Sequence, residues 1–411
     1  MEITVERLRH ALELVEPVVQ KKSTLPILAG YVALRNGRAE ATDLETAVSV
    51  ELPEATEAML LPIKGVLDLL RPTPGSEKIG IRSEGKSLAL VSKDMDASMG
   101  TEAPEDYPPF PVVDQVLGRL PGESIIGGLG AMAPYTLGES SRPRLTGVCL
   151  TFGDHPEAAA TDGFRLIWKT LPGALPAPSA SKPYVIIPAK AVRHLERLWK
   201  KADRAPSLEG VRSMADLLVA PTLVEVAYAR DLVRFTFGDV SLTVMTIVDT
   251  FPNYKLLIPT QLDMRVRFMA PDLYLALQRV AAIAREGQGI VLLKWKGDRL
   301  EVKSKAQDVG EVHQSIKASV AGGPGHIAFN HGYLVEYLQG KEGRVEMGVH
   351  SPSLPALFSD GSDPPVVLMP MLVQWDGEPA DGQKEASQAK EGADTQEAQQ
   401  TDASPASEDP K

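Results

Sequence analysis

The sequence predicts an α+β protein built from three similar domains, each a helix and a set of strands stated twice. Three observations predict it. The triplet Ala41-Thr42-Asp43 returns at Ala160-Thr161-Asp162, and each copy runs through an apolar stretch to a leucine-proline pair, Leu52-Pro53 and Leu171-Pro172. A second phrase follows each copy, Leu60-Leu61-Pro62-Ile63-Lys64 in one case and Ile186-Ile187-Pro188-Ala189-Lys190 in the other. The chain has 411 residues, more than one hydrophobic core usually serves. An internal repeat of this kind dictates the architecture before any single residue does.

The first domain, residues 1–113, opens with a helical period over 5–19, apolar at Leu8, Leu12, Val15 and Val19. Strands are expected near 26–35, 38–43 and 46–52, with Asn36-Gly37 supplying a tight hairpin turn. A short helix over 63–70 precedes strands near 78–83, 87–92 and 95–101, and the domain closes on Asp106-Tyr107-Pro108-Pro109-Phe110-Pro111. The second domain, 114–260, repeats the plan and closes on Phe251-Pro252-Asn253-Tyr254. It carries extra sequence near 202–221, read as a surface excursion. The third, 261–376, is diverged: a helix over 272–285, strands near 290–296 and 299–304, then Ile327-Ala328-Phe329-Asn330-His331 in place of the leucine-proline phrase. It ends on the apolar strand Val366-Val367-Leu368-Met369-Pro370-Met371. Open strand edges invite pairing with another chain. Like edges at both ends favour head-to-tail association, which gives a ring when the rotation closes.

Composition narrows the function classes. No apolar run reaches the roughly 18 residues of a membrane span, and Met1-Glu2-Ile3-Thr4 does not read as a signal peptide. Cys149 is the only cysteine; it excludes an internal disulfide, fits a reducing cytoplasm, and sits between Val148 and Leu150 as a core thiol. Net charge is −11. Residues 377–411 hold nine acidic and three basic side chains and no large apolar one, so this tail is expected to be disordered. A negative body argues against nucleic-acid binding over the whole surface but leaves room for a local basic lining.

One predicted helix supplies such a lining. Lys190, Arg193, Arg197, Lys200 and Lys201 fall on one side at helical spacing, and Ala191, Val192, Leu195, Leu198 and Trp199 on the other. A solvated face is the plain alternative. Five cations interrupted only by Glu196, in an acidic protein, favour phosphate contact; without Asn or Gln the stripe is suited to sequence-blind binding.

Five phrases in register resemble a known family. Thr24-Leu25-Pro26-Ile27-Leu28, Ala41-Thr42-Asp43-Leu44-Glu45, Ala160-Thr161-Asp162-Gly163-Phe164-Arg165-Leu166, Phe251-Pro252-Asn253-Tyr254 and Val367-Leu368-Met369-Pro370-Met371 resemble the bacterial β sliding clamp. That family is the β subunit of DNA polymerase III, its processivity factor. The resemblance covers about residues 1–376. It implies the DNA clamp fold, with two sheets outside and two helices inside each domain, and a head-to-tail homodimeric ring around duplex DNA in the cytoplasm, at the nucleoid. It implies topological tethering without bond chemistry, and no cofactor. Lys22 stands where the family usually has a DNA-touching arginine, and Arg285 lies at the equivalent loop of the third domain. Tyr107 and Leu273 are candidates for the two sides of the dimer interface.

The resemblance also implies a pocket between the second and third domains for short Gln-Leu-rich peptides. These come from the replicative polymerase α subunit, the clamp loader, other polymerases and repair proteins. Its walls would be Leu145, Thr161, Gly163, Arg165, Leu166, Pro252, Leu257, Val367, Met369, Pro370 and Met371. Apolar walls accept leucine and phenylalanine anchors, and methionine adapts to several ligands. A pentapeptide burying roughly 500 Å² gains on the order of 10 kcal/mol gross, which ordering costs reduce to micromolar affinity. Three departures stand out: Phe164 where the family has histidine, Leu372 where arginine is common, and an acidic tail where the family chain ends. The tail is expected to hang near the pocket mouth and modulate partner binding. Asp43 and Asp162 are read as turn-fixing residues, and Met369, Pro370 and Met371 taken alone as strand packing.

Two rivals remain at this level. An enzyme acting on DNA would use Asp43, Asp162 or Asp360, yet no phosphate-cradling loop, metal-ligand spacing or nucleophile elbow accompanies them. The seven histidines are scattered, without helical pairing. A clamp-fold paralogue that binds partner peptides without encircling DNA is the closer rival.

Overall fold

The computed structural model describes residues 1–19, 25–138, 141–202, 222–361 and 364–373. Lys22, the excursion beyond Ala202 and the acidic tail therefore lie outside the described residues. The chain divides into two compact units, Met1–Asp162 with Lys169–Phe251, and Gly163–Trp168 with the chain from Pro252 onward.

In chain order the first repeat runs β1 (Glu2–Thr4), α1 (Val5–Val15), β2 (Tyr31–Arg35), β3 (Arg38–Thr42), β4 (Thr46–Glu51), β5 (Met59–Pro62), α2 (Ile63–Leu70), β6 (Lys78–Glu84), β7 (Ser87–Val91) and β8 (Asp96–Gly100). The second runs β9 (Gln115–Pro121), α3 (Gly122–Met132), β10 (Gly147–Thr151), β11 (Glu157–Thr161), β12 (Arg165–Thr170), β13 (Tyr184–Pro188), α4 (Ala189–Ala202), β14 (Leu223–Ala229), β15 (Leu232–Phe237) and β16 (Val240–Met245). The expected helix over 5–19 stops early because Pro17 cannot continue it; a 3₁₀ turn, Glu16–Val18, takes over. Likewise Pro26–Leu28 is a 3₁₀ turn rather than the start of a strand.

The first unit is held by strand pairing between repeats. Its eight-stranded sheet has the order β5-β2-β3-β4-β16-β15-β14-β9. At the centre β4 of the first repeat pairs antiparallel with β16 of the second, from Val50 opposite Val240 to Thr46 opposite Val244. The β2–β3 hairpin closes on Asn36 and Gly37, both left-handed at φ 53° and 71°, the pair that a two-residue type I′ turn demands. A four-stranded sheet, β1-β6-β7-β8, leaves β8 at its edge. Helices α1 and α2 pack together, as do α3 and α4. The second pair is intimate: Gly122, first residue of α3, lies against the Trp199 ring of α4, and the ring's Nε1 donates to Glu123 at 3.2 Å.

In the second unit the elements are β17 (Met264–Met269), α5 (Ala270–Glu286), β18 (Ile290–Lys296), β19 (Arg299–Ala306), β20 (Gly310–Lys317), β21 (Ser319–Ala321), β22 (Gly325–Asn330), α6 (His331–Leu338), β23 (Arg344–Val349), β24 (Ala356–Ser359) and β25 (Val366–Leu368). One sheet has the order β12-β25-β24-β23-β17-β21 and the other β20-β19-β18-β22. Asn330 caps α6 by accepting from the Gly332 and Tyr333 amides, which satisfies two of the donors a helix start leaves unpaired. Trp295, Phe329 and Phe358 are fully buried.

The two residues expected at the dimer interface are both buried within a single copy. Tyr107 is 3 % exposed and packs with Leu28, Ala33 and Leu60, while Leu273 is 0 % exposed. Both side chains pack within the core of their own units. Tyr107 also accepts a hydrogen bond from the Thr42 amide at 3.2 Å, and burial pushes its phenol up to about 12. Cys149 is buried, and burial pushes its thiol well above its ordinary value, the behaviour of a core thiol.

Candidate nucleic-acid and peptide interfaces

Helix α4 forms because two faces with opposite needs share it. Ala191, Val192, Leu195, Leu198 and Trp199 are buried, and Trp199 meets the Phe237 ring edge-on at 5.3 Å. Lys190, Arg193, Arg197, Lys200 and Lys201 are exposed on the other face. Their neighbours differ. Lys190 Nζ lies 2.9 Å from Asp43 of the first repeat, Lys200 is paired with Glu196 at 2.6 Å, and Lys201 donates to the Glu13 carbonyl at 3.0 Å. Arg193 and Arg197 form no ion pair among the described residues. The cations available to an external anion are thus chiefly these two arginines, with two lysines at the helix end.

Sequence reasoning passed over His194, although its position between Arg193 and Arg197 was visible. It lines a shallow seam with Leu14, Pro17, Val18, Val48, Arg197, Leu198 and Lys201. Burial, joined by the charges of Arg197 and Lys190, holds its imidazole below the ordinary range. The face therefore gains no charge from it near neutral pH. Arg285, expected in a loop, is instead in the last turn of α5, exposed, with its Nε donating to the Ala281 carbonyl at 3.3 Å. There it also complements the negative end of the helix.

Asp43 acts twice. Its Oδ1 accepts from the Glu45 and Thr46 amides at 3.2 and 2.7 Å, fixing the turn as read from sequence, while Oδ2 takes Lys190. The turn forces the next residue, Leu44, to φ 75°. The second repeat has Gly163 at the matching position, at φ 91°, where glycine carries no Cβ penalty.

Of the residues expected to line the peptide pocket, Leu145 and Thr161 belong to the first unit and are buried. In the second, β12 pairs with β25, setting Leu166 opposite Val367 and Arg165 opposite Leu368, and the Met369 amide continues the ladder onto the Phe164 carbonyl at 2.8 Å. Leu166 and Val367 are core residues. Arg165 is also buried, paired with Glu336 and lying 4.6 Å from the Tyr333 ring centroid. Apolar surface remains accessible at Phe164 (57 % exposed) and Leu257, and in part at Pro252, Met369, Pro370 and Met371; Gly163 is exposed. Among the described residues no group of three acidic, histidine or cysteine side chains could hold a metal ion, and no helix is long and apolar enough to cross a membrane.

Residues 255–372 match the family profile described as the DNA polymerase III beta subunit, C-terminal domain. The chain is 26 % identical over 382 residues to the beta sliding clamp of Synechococcus elongatus, covering 89 % of this chain and 97 % of that one. The crystal structure of the DNA polymerase III subunit beta from Pseudomonas aeruginosa superimposes with a TM-score of 0.79 at 23 % identity, over 91 % of this chain and all of that one. A griselimycin-bound sliding clamp from the same organism gives 0.76 at 23 % identity, over 91 % and 99 %.

Proposed function

We propose that the chain belongs with the bacterial β sliding clamps and that it works by tethering rather than by catalysis. It is a DNA sliding clamp for DNA polymerase III. In the proposed arrangement two copies, each of three domains (1–113, 114–260 and 261–376), close head to tail around duplex DNA at the nucleoid in the cytoplasm. The exposed cations of α4, with Arg193 and Arg197 foremost, together with Arg285 and Lys22, contact phosphates and so allow sliding without base readout. The observation that carries the reading is this amphipathic α4 within a fold that matches clamps along nearly its whole length.

The edges suggest how the ring closes. Inside the first unit, two repeats join simply by pairing β4 with β16. Strands β8 and β20 are sheet edges whose outward backbone groups can be joined in the same way, β8 of one copy against β20 of the next. Tyr107 and Leu273, buried beneath, would support the closing elements from within. For partner peptides, the accessible Phe164, Leu257, Met369 and Pro370 offer apolar anchorage, with Leu145, Thr161, Gly163, Arg165, Leu166, Pro252, Val367 and Met371 completing or supporting the site. The polymerase α subunit, the clamp loader and repair proteins are its occupants.

Topology provides the test. Loaded by its own clamp loader onto closed circular duplex, the protein should co-elute with DNA in about 1 M salt, where the Debye length of about 3 Å screens phosphate contacts. Cutting the circle should release it. Equal retention on circular and linear DNA would overturn the ring. Failure to be retained on either, with partner peptides still bound, would favour the non-encircling paralogue.

A further inference from the structure

The outer face of the β20-β19-β18-β22 sheet carries a charge that α4 and Arg285 do not account for. Alternation along β18 and β19 sends Leu293, Trp295, Leu300 and Val302 into the core and puts Lys294, Lys296, Arg299, Lys303 and Lys305 on the opposite face. The register lines up three cations side by side, Lys296 opposite Arg299 and Arg299 opposite Lys317 of β20, while Lys294 is opposite Glu301, Lys305 opposite Glu311 and Lys303 opposite Leu292. These six cations share the face with two acids. Glu301 lies 3.6 Å from Lys303, and Glu311 is held against His313 at 3.1 Å.

The same face contains an apolar patch, Ile290, Leu292 and Ala328, against which Met371 packs. The Met371 amide donates to the Ala328 carbonyl at 2.8 Å. The chain thus arrives on the basic face at Met371. The sequence then continues Leu372-Val373-Gln374-Trp375-Asp376-Gly377-Glu378, and residues 374–411 hold ten acidic and three basic side chains. Five to seven residues of extended chain span roughly 16–25 Å. Lys294 lies two residues, about 7 Å, along β18 from Leu292, and β19 lies one strand spacing, about 5 Å, to the side. The first acids of the segment therefore have the reach to meet these lysines with the sheet as it stands.

We propose that this basic face is the docking surface for residues 374–411 of the same chain. Met371 seats the segment and charge holds it. Individual contacts between exposed charges are weak, but a segment already tethered at Met371 meets the face at the millimolar effective concentration of a short linker. Bound there, it occupies a surface that other polyanions would otherwise contact.

Zero-length carboxyl-to-amine crosslinking of the full chain, read by mass spectrometry, tests this. Crosslinks from Asp376, Glu378 and Asp381 should concentrate on Lys294, Lys296, Lys303 and Lys305 and fade as salt approaches about 1 M. In a Lys296→Gln/Arg299→Gln/Lys317→Gln variant with an unchanged circular-dichroism melt, the crosslinks to the remaining Lys294, Lys303 and Lys305 should weaken severalfold, and undiminished crosslinks would overturn the role of charge. Crosslinks scattered over lysines of both units, or gathered on Lys190, Lys200 and Lys201, would overturn the proposal. So would crosslinks joining isotope-labelled to unlabelled copies, which would make a second chain the occupant. A face that binds added duplex DNA while the full chain yields no such crosslinks would assign it to nucleic acid instead.

Discussion

Replacing Gly122 by alanine should destabilise the first unit through a single contact. A Cβ at this position would lie 2.1 Å from Trp199 Cη2, 2.6 Å from Cζ2 and 2.7 Å from Cζ3. Carbon atoms rest comfortably at about 3.5–4.0 Å, so the ring must retreat by roughly 1.5 Å. It has little room to do so. Its indole N–H is bonded to Glu123, the residue next to Gly122, and its edge packs on Phe237. Overpacking of this kind costs about 1–3 kcal/mol, and loosening the aromatic pair and the hydrogen bond contributes within that range. Against it stands the gain in helix propensity of alanine over glycine, at most about 1 kcal/mol. The clash wins, and we predict a net loss of about 1–2 kcal/mol, a drop of a few degrees in the melt of a unit this size. Urea unfolding followed by far-ultraviolet circular dichroism measures it. A Trp199→Leu background should remove most of the Gly122→Ala penalty, because the ring is the obstacle. An unchanged or raised midpoint for Gly122→Ala, or an equal penalty with and without the ring, would refute the reasoning.

Arg197→Gln and Arg193→Gln should each reduce the slope of log affinity for duplex DNA against log salt by about 1; Lys190→Gln should change it less, because Asp43 already holds that ammonium, and an equal effect would contradict the pairing. Leu44→Gly should raise the unfolding free energy by up to about 1 kcal/mol by relieving a left-handed leucine that is 53 % exposed, whereas Gly163→Ala should lower it. Alkaline pH should expose Tyr107: its folded pKa, about 12, exceeds the ordinary 10, so the folded state favours the protonated phenol. That contribution is fully present below pH 10 and is lost as pH rises toward 12, a change of roughly 2–3 kcal/mol for two units. Tyr107→Phe should flatten this limb while costing about 1–2 kcal/mol at neutral pH for the unpaired Thr42 amide, and an unchanged alkaline limb in denaturant titrations at pH 9–12 would refute the assignment.

What could be read from sequence was what depends on neighbours along the chain. Asn36-Gly37 specified its turn, α2 fell on 63–70 as expected, and α4 split its faces where the period placed them. What escaped were contacts between distant residues. Nothing in the spacing announced that Asp43 would neutralise Lys190, or that Tyr333 and, 171 residues away, Glu336 would enclose Arg165. Tyr107 and Leu273 show the deeper difficulty. A large apolar residue at an element boundary suits a core and an interface equally, and the sequence does not separate the two. Proline explains the local misses, since Pro17 and Pro26 turned an expected helix end and strand start into 3₁₀ turns.

The β4–β16 ladder has a consequence for how the protein is made. Val50 and Val240 are neighbours in the sheet but about 190 residues apart in the chain. At translation speeds of about 5–20 residues per second, roughly 10–40 s separate their emergence from the ribosome. During that interval the nascent first repeat presents β4 as an uncovered edge, the kind of surface that captures other strands. Two nascent chains on one messenger could exchange their β16 strands at this stage. Chaperone occupancy during synthesis should therefore rise after β4 emerges and fall once Met245 has cleared the exit tunnel.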